Sequence, residues 1–178
     1  MENIKENVLH IDKLIHGTFV NVFDSGVLLI GKPKSGKSSI ALELVSNGHA
    51  LIADDLVRIK KKDSCFFGKS ITTPKQLTEF IHINNYGFIN LRKLFGDNGV
   101  FREEKKIDLI IKLGLKDLII KDDDFKQLRT ININTQDIKI NIAKFIEIVI
   151  KNYKLEKDGY NSDNEFTIEQ IKAITTKT

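Results

Sequence analysis

Gly31-Lys32-Pro33-Lys34-Ser35-Gly36-Lys37-Ser38 has the spacing of a phosphate-binding P-loop, a glycine at each end of the turn and a Lys-Ser pair behind the second. It follows the apolar run Gly26-Val27-Leu28-Leu29-Ile30 and precedes Ser39-Ile40-Ala41-Leu42-Glu43-Leu44-Val45. Strand, glycine-bounded loop and helix are the context that gives the pattern its meaning, and a turn with chance glycines would lack it. Gly31 and Gly36 let the backbone turn its N–H groups inward around an anion, and the positive end of the following helix adds to that field. Lys37 can then reach the β- and γ-phosphates, and the Ser38 hydroxyl can ligate Mg²⁺. The expected nucleotide-binding stretch is Gly31, Lys32, Pro33, Lys34, Ser35, Gly36, Lys37, Ser38 and Ser39.

Working outward, Asn47-Gly48-His49 closes the helix, with Gly48 suited to a left-handed C-terminal turn. Ala50-Leu51-Ile52-Ala53 then reads as a short buried strand ending in Asp54-Asp55. Neighbouring residues on a strand point to opposite faces, but where the strand ends both can turn toward a metal and a reacting hydroxyl. Asp also favours ordinary turns through its own backbone hydrogen bonding. What favours a site over a plain turn is the placement of the pair sixteen residues beyond Ser38.

A chain of 178 residues predicts one domain over 1–178, large enough to bury a core without staples. Hydrophobic residues at 41% and charged residues at 29% describe a soluble globular protein. The single cysteine, Cys65, excludes an internal disulfide framework and a cysteine-based zinc site and fits a reducing cytoplasm. No apolar run approaches a membrane span, and the charged start Met1-Glu2-Asn3-Ile4-Lys5-Glu6 lacks a signal-peptide apolar region. The net charge of +4 is mild, and the run Lys60-Lys61-Lys62 lacks the interleaved aromatics of a nucleic-acid surface. The expectations are a cytoplasmic protein that binds neither membrane nor nucleic acid.

The rest of the chain reads as a largely β front half. Strands are expected at Thr18 to Phe23, Val57 to Lys60 and Lys106 to Leu113, with Ser64 to Gly68 as hairpin partner of the second. Tyr86 to Asn90 is a short apolar segment, and Leu91 to Phe95 a helical turn stopped by Gly96. Ile140 to Leu155 has helical spacing through Ile142, Phe145, Ile146, Val149, Ile150 and Tyr153. A last helix is expected from about Thr167 to Ile174, with Thr167 and Gln170 as a capping box. Lys121, Lys126 and Asp122-Asp123-Asp124 mark a solvated loop.

The ordered set His16-Gly17, Gly26-Val27-Leu28, the loop with Gly36-Lys37-Ser38, Ala41-Leu42-Glu43-Leu44, Gly48-His49 and Ala53-Asp54-Asp55 resembles the catalytic domain of HPr kinase/phosphorylase. The resemblance continues through Gly87-Phe88-Ile89-Asn90 and Leu94-Phe95-Gly96, and loosely into Glu147 and Gly159-Tyr160. It implies an α/β fold, a P-loop kinase domain of the type related to phosphoenolpyruvate carboxykinase, with a mixed sheet and C-terminal helices. Longer members carry an additional N-terminal domain; this chain resembles the short form. Also implied are ATP and Mg²⁺, an HPr-like phosphocarrier protein as partner, a homo-oligomer (a hexamer), and His16 as a lining residue of the catalytic site. His49 reads as structural.

Several positions depart from the family pattern. Ser39 stands where a Glu usually follows the P-loop Ser, and His82-Ile83-Asn84-Asn85 stands in place of Glu-Ile-Arg-Gly. The family's Asp-Arg-Leu-Gly stretch and its proline-rich segment have no counterpart; Thr135 to Asn141 occupies that region, and Arg129 is poorly placed to replace a lost arginine. Those segments serve protein docking and the phosphate-dependent reverse reaction, so a kinase running forward better than backward is expected. In that reaction Lys37 offsets charge on the γ-phosphoryl, Ser38 and Asp55 hold Mg²⁺, and Asp54 accepts the hydroxyl proton with a pKa raised by its acidic neighbour. The two Asp roles are interchangeable at this level. The alternatives are a kinase of a small hydroxyl metabolite and a non-catalytic nucleotide-binding regulator.

Overall fold

The computed structural model describes residues 12–114, 125–134 and 141–175. Ten strands and four α-helices follow one another there: β1 (Asp12–His16), β2 (Thr18–Val22), β3 (Ser25–Gly31), α1 (Lys37–Ser46), β4 (Ala50–Ala53), β5 (Leu56–Lys62), β6 (Cys65–Ser70), β7 (Phe80–Ile83), β8 (Gly87–Asn90), α2 (Leu91–Phe95), β9 (Lys105–Leu113), β10 (Thr130–Ile133), α3 (Ile142–Lys157) and α4 (Ser162–Thr175). Eight strands form one mixed sheet in the order β1-β5-β6-β9-β3-β2-β4, with β10 added along β9, and β7 and β8 form a separate hairpin. The α/β architecture with a mixed sheet and C-terminal helices agrees with the sequence reading.

β3 is the axis of the sheet because every one of its residues is buried. It runs parallel to β9, as does β10, and a parallel strand covered on both faces needs an unbroken apolar run rather than alternation. Val27 and Leu29 face α1 and α3, packing with Ile40, Leu44, Ile146 and Ile150, whereas Leu28 and Ile30 face the opposite core with Phe19, Ile59 and Phe66. Burying each such side chain contributes roughly 1.5–3 kcal/mol relative to leaving it in water. The register of β3 against β9 slips between Gly26 and Val27, which leaves Asp108 as the extra residue of a bulge. Its carboxylate accepts from the Gly26 N–H at 3.0 Å and from the Lys157 ammonium at 3.2 Å, so the break in the ladder orphans no donor.

The β5–β6 hairpin, the helical turn at Leu91–Phe95 and the long strand at Lys105–Leu113 stand where the sequence put them. β1, β7 and β10 were not legible; each is at most five residues long and draws its stability from the strand it joins. The capping-box reading of the last helix is overturned. α4 begins at Ser162, the Asn161 carboxamide accepts from the Asn164 N–H at 2.9 Å, and Thr167, inside the helix, donates to the Asp163 carbonyl at 2.8 Å. α3 begins at Ile142, two residues after the expected start, because Asn141 caps it by accepting from the Lys144 N–H at 2.8 Å. Asp122-Asp123-Asp124, Lys121, the charged start and 135–140 lie outside the described residues. No helix among the described residues is long and apolar enough to cross a membrane.

Candidate active site

The loop between β3 and α1 has the form its sequence demands. Gly36 holds φ 93°, a left-handed backbone that only glycine adopts without strain, and so directs the helix entry. Gly31 serves a different purpose: a Cβ there would lie 2.5 Å from the Ser35 hydroxyl and 2.8 Å from the Leu113 carbonyl oxygen. The close approach of the loop to β9, rather than a special φ, requires this glycine. α1 starts at Lys37, two residues earlier than the apolar spacing suggests, with neither a side-chain cap nor an acid in its first turn. Its first N–H groups and its positive dipole end therefore open onto the loop mouth.

Lys37 is only 7% exposed, and its ammonium donates to the Gly31 carbonyl at 2.9 Å and the Lys32 carbonyl at 3.0 Å. Burial lowers its pKa, with the Asp54 and Asp55 charges opposing the shift. The Ser35 hydroxyl is buried inside the loop without a partner among the described residues. An orphaned hydroxyl is costly unless something accepts from it, and a bound phosphate oxygen is the acceptor this loop suits. Lys34 at the loop tip takes φ 66°. A cleft of about 280 Å³ opens over this surface, lined by Pro33 to Ser39 together with His16, Asp55, His82 and Asn84.

The two aspartates occupy different environments. Asp54 is withdrawn: Thr18 donates to it at 2.7 Å, and the Ser38 hydroxyl lies 3.1 Å from each of its oxygens. Its pKa is raised, chiefly by burial; the Thr18 and Ser38 hydrogen bonds oppose the shift and the Asp55 charge adds to it. The acidic neighbour thus contributes, as expected, but is the minor cause. Asp55 is exposed and is the only carboxylate among the described residues that lines the P-loop cleft.

A tight turn separates them. The Leu56 N–H donates to the Asp54 carbonyl at 3.0 Å, closing a three-residue turn centred on Asp55 at φ 70°. Such a backbone is rare for a non-glycine residue and strained, and it lets adjacent side chains both serve one site. The turn is pinned from outside: the Asp55 carbonyl accepts from the Gly17 N–H at 3.1 Å and from His16 Nδ1 at 2.8 Å. His16 therefore both lines the cleft and holds the Asp55 turn. His49 is structural, as read: its Nε2 donates to Glu147 at 3.3 Å and its ring packs edge-on against Phe23 at 4.6 Å.

The donor set suits Mg²⁺, a cation commonly held by one or two carboxylates plus substrate phosphates. The Ser38 hydroxyl beside Asp54 offers such oxygens, and among the described residues no group of three His, Cys, Asp or Glu forms a complete cage. Sequence reasoning missed Thr18, whose role depends on β2 lying next to β4. His82 and Asn84 do border the cleft where the family pattern has a charged pair.

The sequence profile for the HPr Serine kinase C-terminal domain matches residues 7–170. HPr kinase/phosphorylase of Bacillus pumilus is 34% identical over 177 residues, covering 94% of this chain and 56% of that protein. That of a Geobacillus species is 33% identical over 190 residues, covering 98% and 58%. The chain spans somewhat over half the length of the curated relatives it matches. The solved structure of the HPr(Ser) kinase/phosphatase from Coxiella burnetii superposes with a TM-score of 0.66 at 26% identity, covering 86% of this chain and 98% of that one. The chain therefore belongs to the HPr serine kinase C-terminal domain family.

Proposed function

We propose that this chain transfers the γ-phosphoryl group of ATP to a serine hydroxyl of an HPr-like phosphocarrier protein, in a Mg²⁺-assisted reaction. The observation that carries the reading is the Asp55 carboxylate, exposed and without an ion pair among the described residues, in the same cleft as the P-loop and the α1 N-terminus. Phosphoryl transfer asks little covalent work of the protein; positioning and charge stabilisation supply most of the rate. The loop N–H groups and the Ser35 hydroxyl hold phosphate oxygens. Lys37 turns its ammonium from the Gly31 and Lys32 carbonyls toward the β- and γ-phosphates. Ser38 and Asp54 would hold Mg²⁺, which would supply neutralising charge to the phosphate oxygens.

The geometry favours assigning the two aspartates in the order opposite to the first one set out above. Asp54 is occupied by Thr18 and Ser38 and stands beside the metal-binding hydroxyl, whereas Asp55 meets the open cleft. Asp55 then accepts the serine proton as the serine oxygen bonds to the γ-phosphorus and the bond to the ADP oxygen breaks. His16, through the Asp55 carbonyl, positions that base. Homo-oligomeric assembly belongs to the same reading, and the exposed Phe166 and Ile168 of α4 offer surface for it. Reversal would need fixed cations for free phosphate; no arginine among the described residues lines the P-loop cleft, and Arg129 pairs with Glu156, and Arg92 and Arg102 with Glu79.

The test is incubation with γ-labelled ATP and Mg²⁺, offering an HPr-like protein and a panel of hydroxy metabolites in parallel. Label on a serine of the carrier is expected. Label on a metabolite alone, or on nothing while ATP binds, replaces this reading with one of the two alternatives. Asp55→Asn should lower the labelling rate by roughly 10²–10⁴-fold with ATP affinity retained.

A further inference from the structure

Two more clefts continue from the P-loop cleft along the same side of the molecule. The first, about 670 Å³, shares Asp55 and His82 with it and is walled by the apolar side chains of Leu56, Ile71, Leu77, Phe80 and Phe88. Its walls come from separate elements, the start of β5 and the end of β6 on one side and the β7–β8 hairpin on the other. Leu77 is 49% exposed and Phe88 74% exposed, unusual for such large apolar side chains beside a polar reaction site. The second, about 800 Å³, shares Ser70 to Thr73 and Thr78 with the first and carries six cationic side chains against two carboxylates. Arg58 is paired with Asp12, Lys62 with Glu104 and Arg102 with Glu79, whereas Lys69 and Lys75 make no ion pair among the described residues.

We propose that these clefts form a docking track for the acceptor protein: an apolar side chain next to the acceptor serine seats between Leu77, Phe80 and Phe88, and carboxylates farther along the acceptor surface meet Lys69 and Lys75. The inference rests on the reading of the chain as a protein-serine kinase. Continuity argues for this occupant, because Asp55 borders both the phosphate cleft and the apolar one, so whatever fills the second lies against the reacting hydroxyl. The nucleotide phosphates are already accommodated at the α1 N-terminus. Charge argues for an acidic region on the partner, since an apolar anchor gives affinity and a complementary charged rim gives orientation and encounter rate. A small metabolite would engage the first two clefts only and would be indifferent to the lysines.

The experiment is steady-state phosphorylation of an HPr-like carrier by the full chain, with Mg-ATP affinity measured in parallel by calorimetry. Lys69→Glu combined with Lys75→Glu should raise KM for the carrier about tenfold, and the rise of wild-type KM with added salt should flatten in that variant. Phe88→Ser, at an exposed position, should also raise KM about tenfold, while Lys93→Glu, on exposed α2 outside both clefts, should leave it within twofold. A KM unchanged in both track variants, with the carrier still phosphorylated, overturns the track and leaves the kinase reading standing. An unlabelled carrier with wild-type protein that binds Mg-ATP overturns the acceptor reading and the track with it.

Discussion

The two ends of α1 are built on opposite principles. At its C-terminus the polar groups find partners: the Gly48 and His49 N–H groups donate to the Val45 and Leu44 carbonyls, 3.0 and 3.1 Å away, closing the helix through a left-handed glycine. Asn47 donates to Glu147 at 2.8 Å, and His49 and Lys144 donate to the same carboxylate. At the N-terminus, ten residues earlier, there is no side-chain cap, the Ser35 hydroxyl has no partner among the described residues, and Lys37 is buried among carbonyls. Asp54 is met by the Thr18 and Ser38 hydroxyls and the Asp55 backbone, with no cation donating to it among the described residues. The pKa directions record the contrast. Burial alone would raise Glu147, but bonds from Asn47 and Lys144 outweigh it and hold it low, whereas Asp54 ends raised. A saturated polar cluster is structural; an unsaturated one beside a helix N-terminus awaits a ligand.

The strongest way to break that contrast is Lys37→Ala. Losing the cation at the transferring phosphoryl should cost roughly 10²–10³-fold in turnover and most of the Mg-ATP affinity, without lowering the thermal midpoint. Unchanged affinity by calorimetry together with unchanged turnover would remove the P-loop from the site.

Glu147→Ala attacks the other end. It leaves the buried His49 ring N–H and the part-buried Asn47 amide without their acceptor, and should cost about 3 kcal/mol in denaturant unfolding with kcat unaffected. It should also change the pH dependence. Burial lowers the folded pKa of His49, so the unfolded chain takes up that proton first. The His49 contribution is therefore whole above its unfolded pKa of about 6.5 and declines as pH falls below that value. The lowered Glu147 acts with the same sign at lower pH. Removing the carboxylate that holds His49 up depresses that ring further. The variant should therefore lose stability more steeply than wild type just below pH 6.5 and less steeply below the ordinary Glu147 value of 4.5, and parallel curves would detach this pair from acid unfolding.

Asp54→Asn should have a smaller effect of opposite sign on stability. A raised carboxyl pKa means the unfolded chain releases its proton first, so stability is lost as pH rises from the ordinary value of 3.8 through the folded one. The amide removes that loss, and the thermal midpoint should rise at pH 7, with the gain vanishing near pH 4. Mg²⁺-dependent ATP binding should weaken in the same variant. A lowered midpoint at pH 7 would place Asp54 with the saturated cluster. The smallest effect expected is about 1 kcal/mol for Asn141→Ala, which removes the α3 cap, read by urea unfolding.

Local chemistry makes much of this visible in the sequence alone. The P-loop, its strand and its helix were legible because glycine spacing and an apolar run are local signals, and so was the left-handed turn at Gly48. The Asp54-Asp55 pair stood out as a neighbour of the loop because two carboxylates end a short apolar strand sixteen residues beyond Ser38, and the structure places both beside it. Which aspartate faces Ser38 and which faces the cleft was decided by tertiary structure. It depends on β2 bringing Thr18 beside β4 and on the junction of β1 and β2 holding the Asp55 carbonyl, contacts that span 36 and 39 residues. Short strands such as β1, β7 and β10 carry too few residues for a periodic signal and exist only through their neighbours. Sequence determined the form of the glycine loop because a loop builds it from its own backbone; tertiary structure decided which side chains surround it because separated strands must meet to supply them.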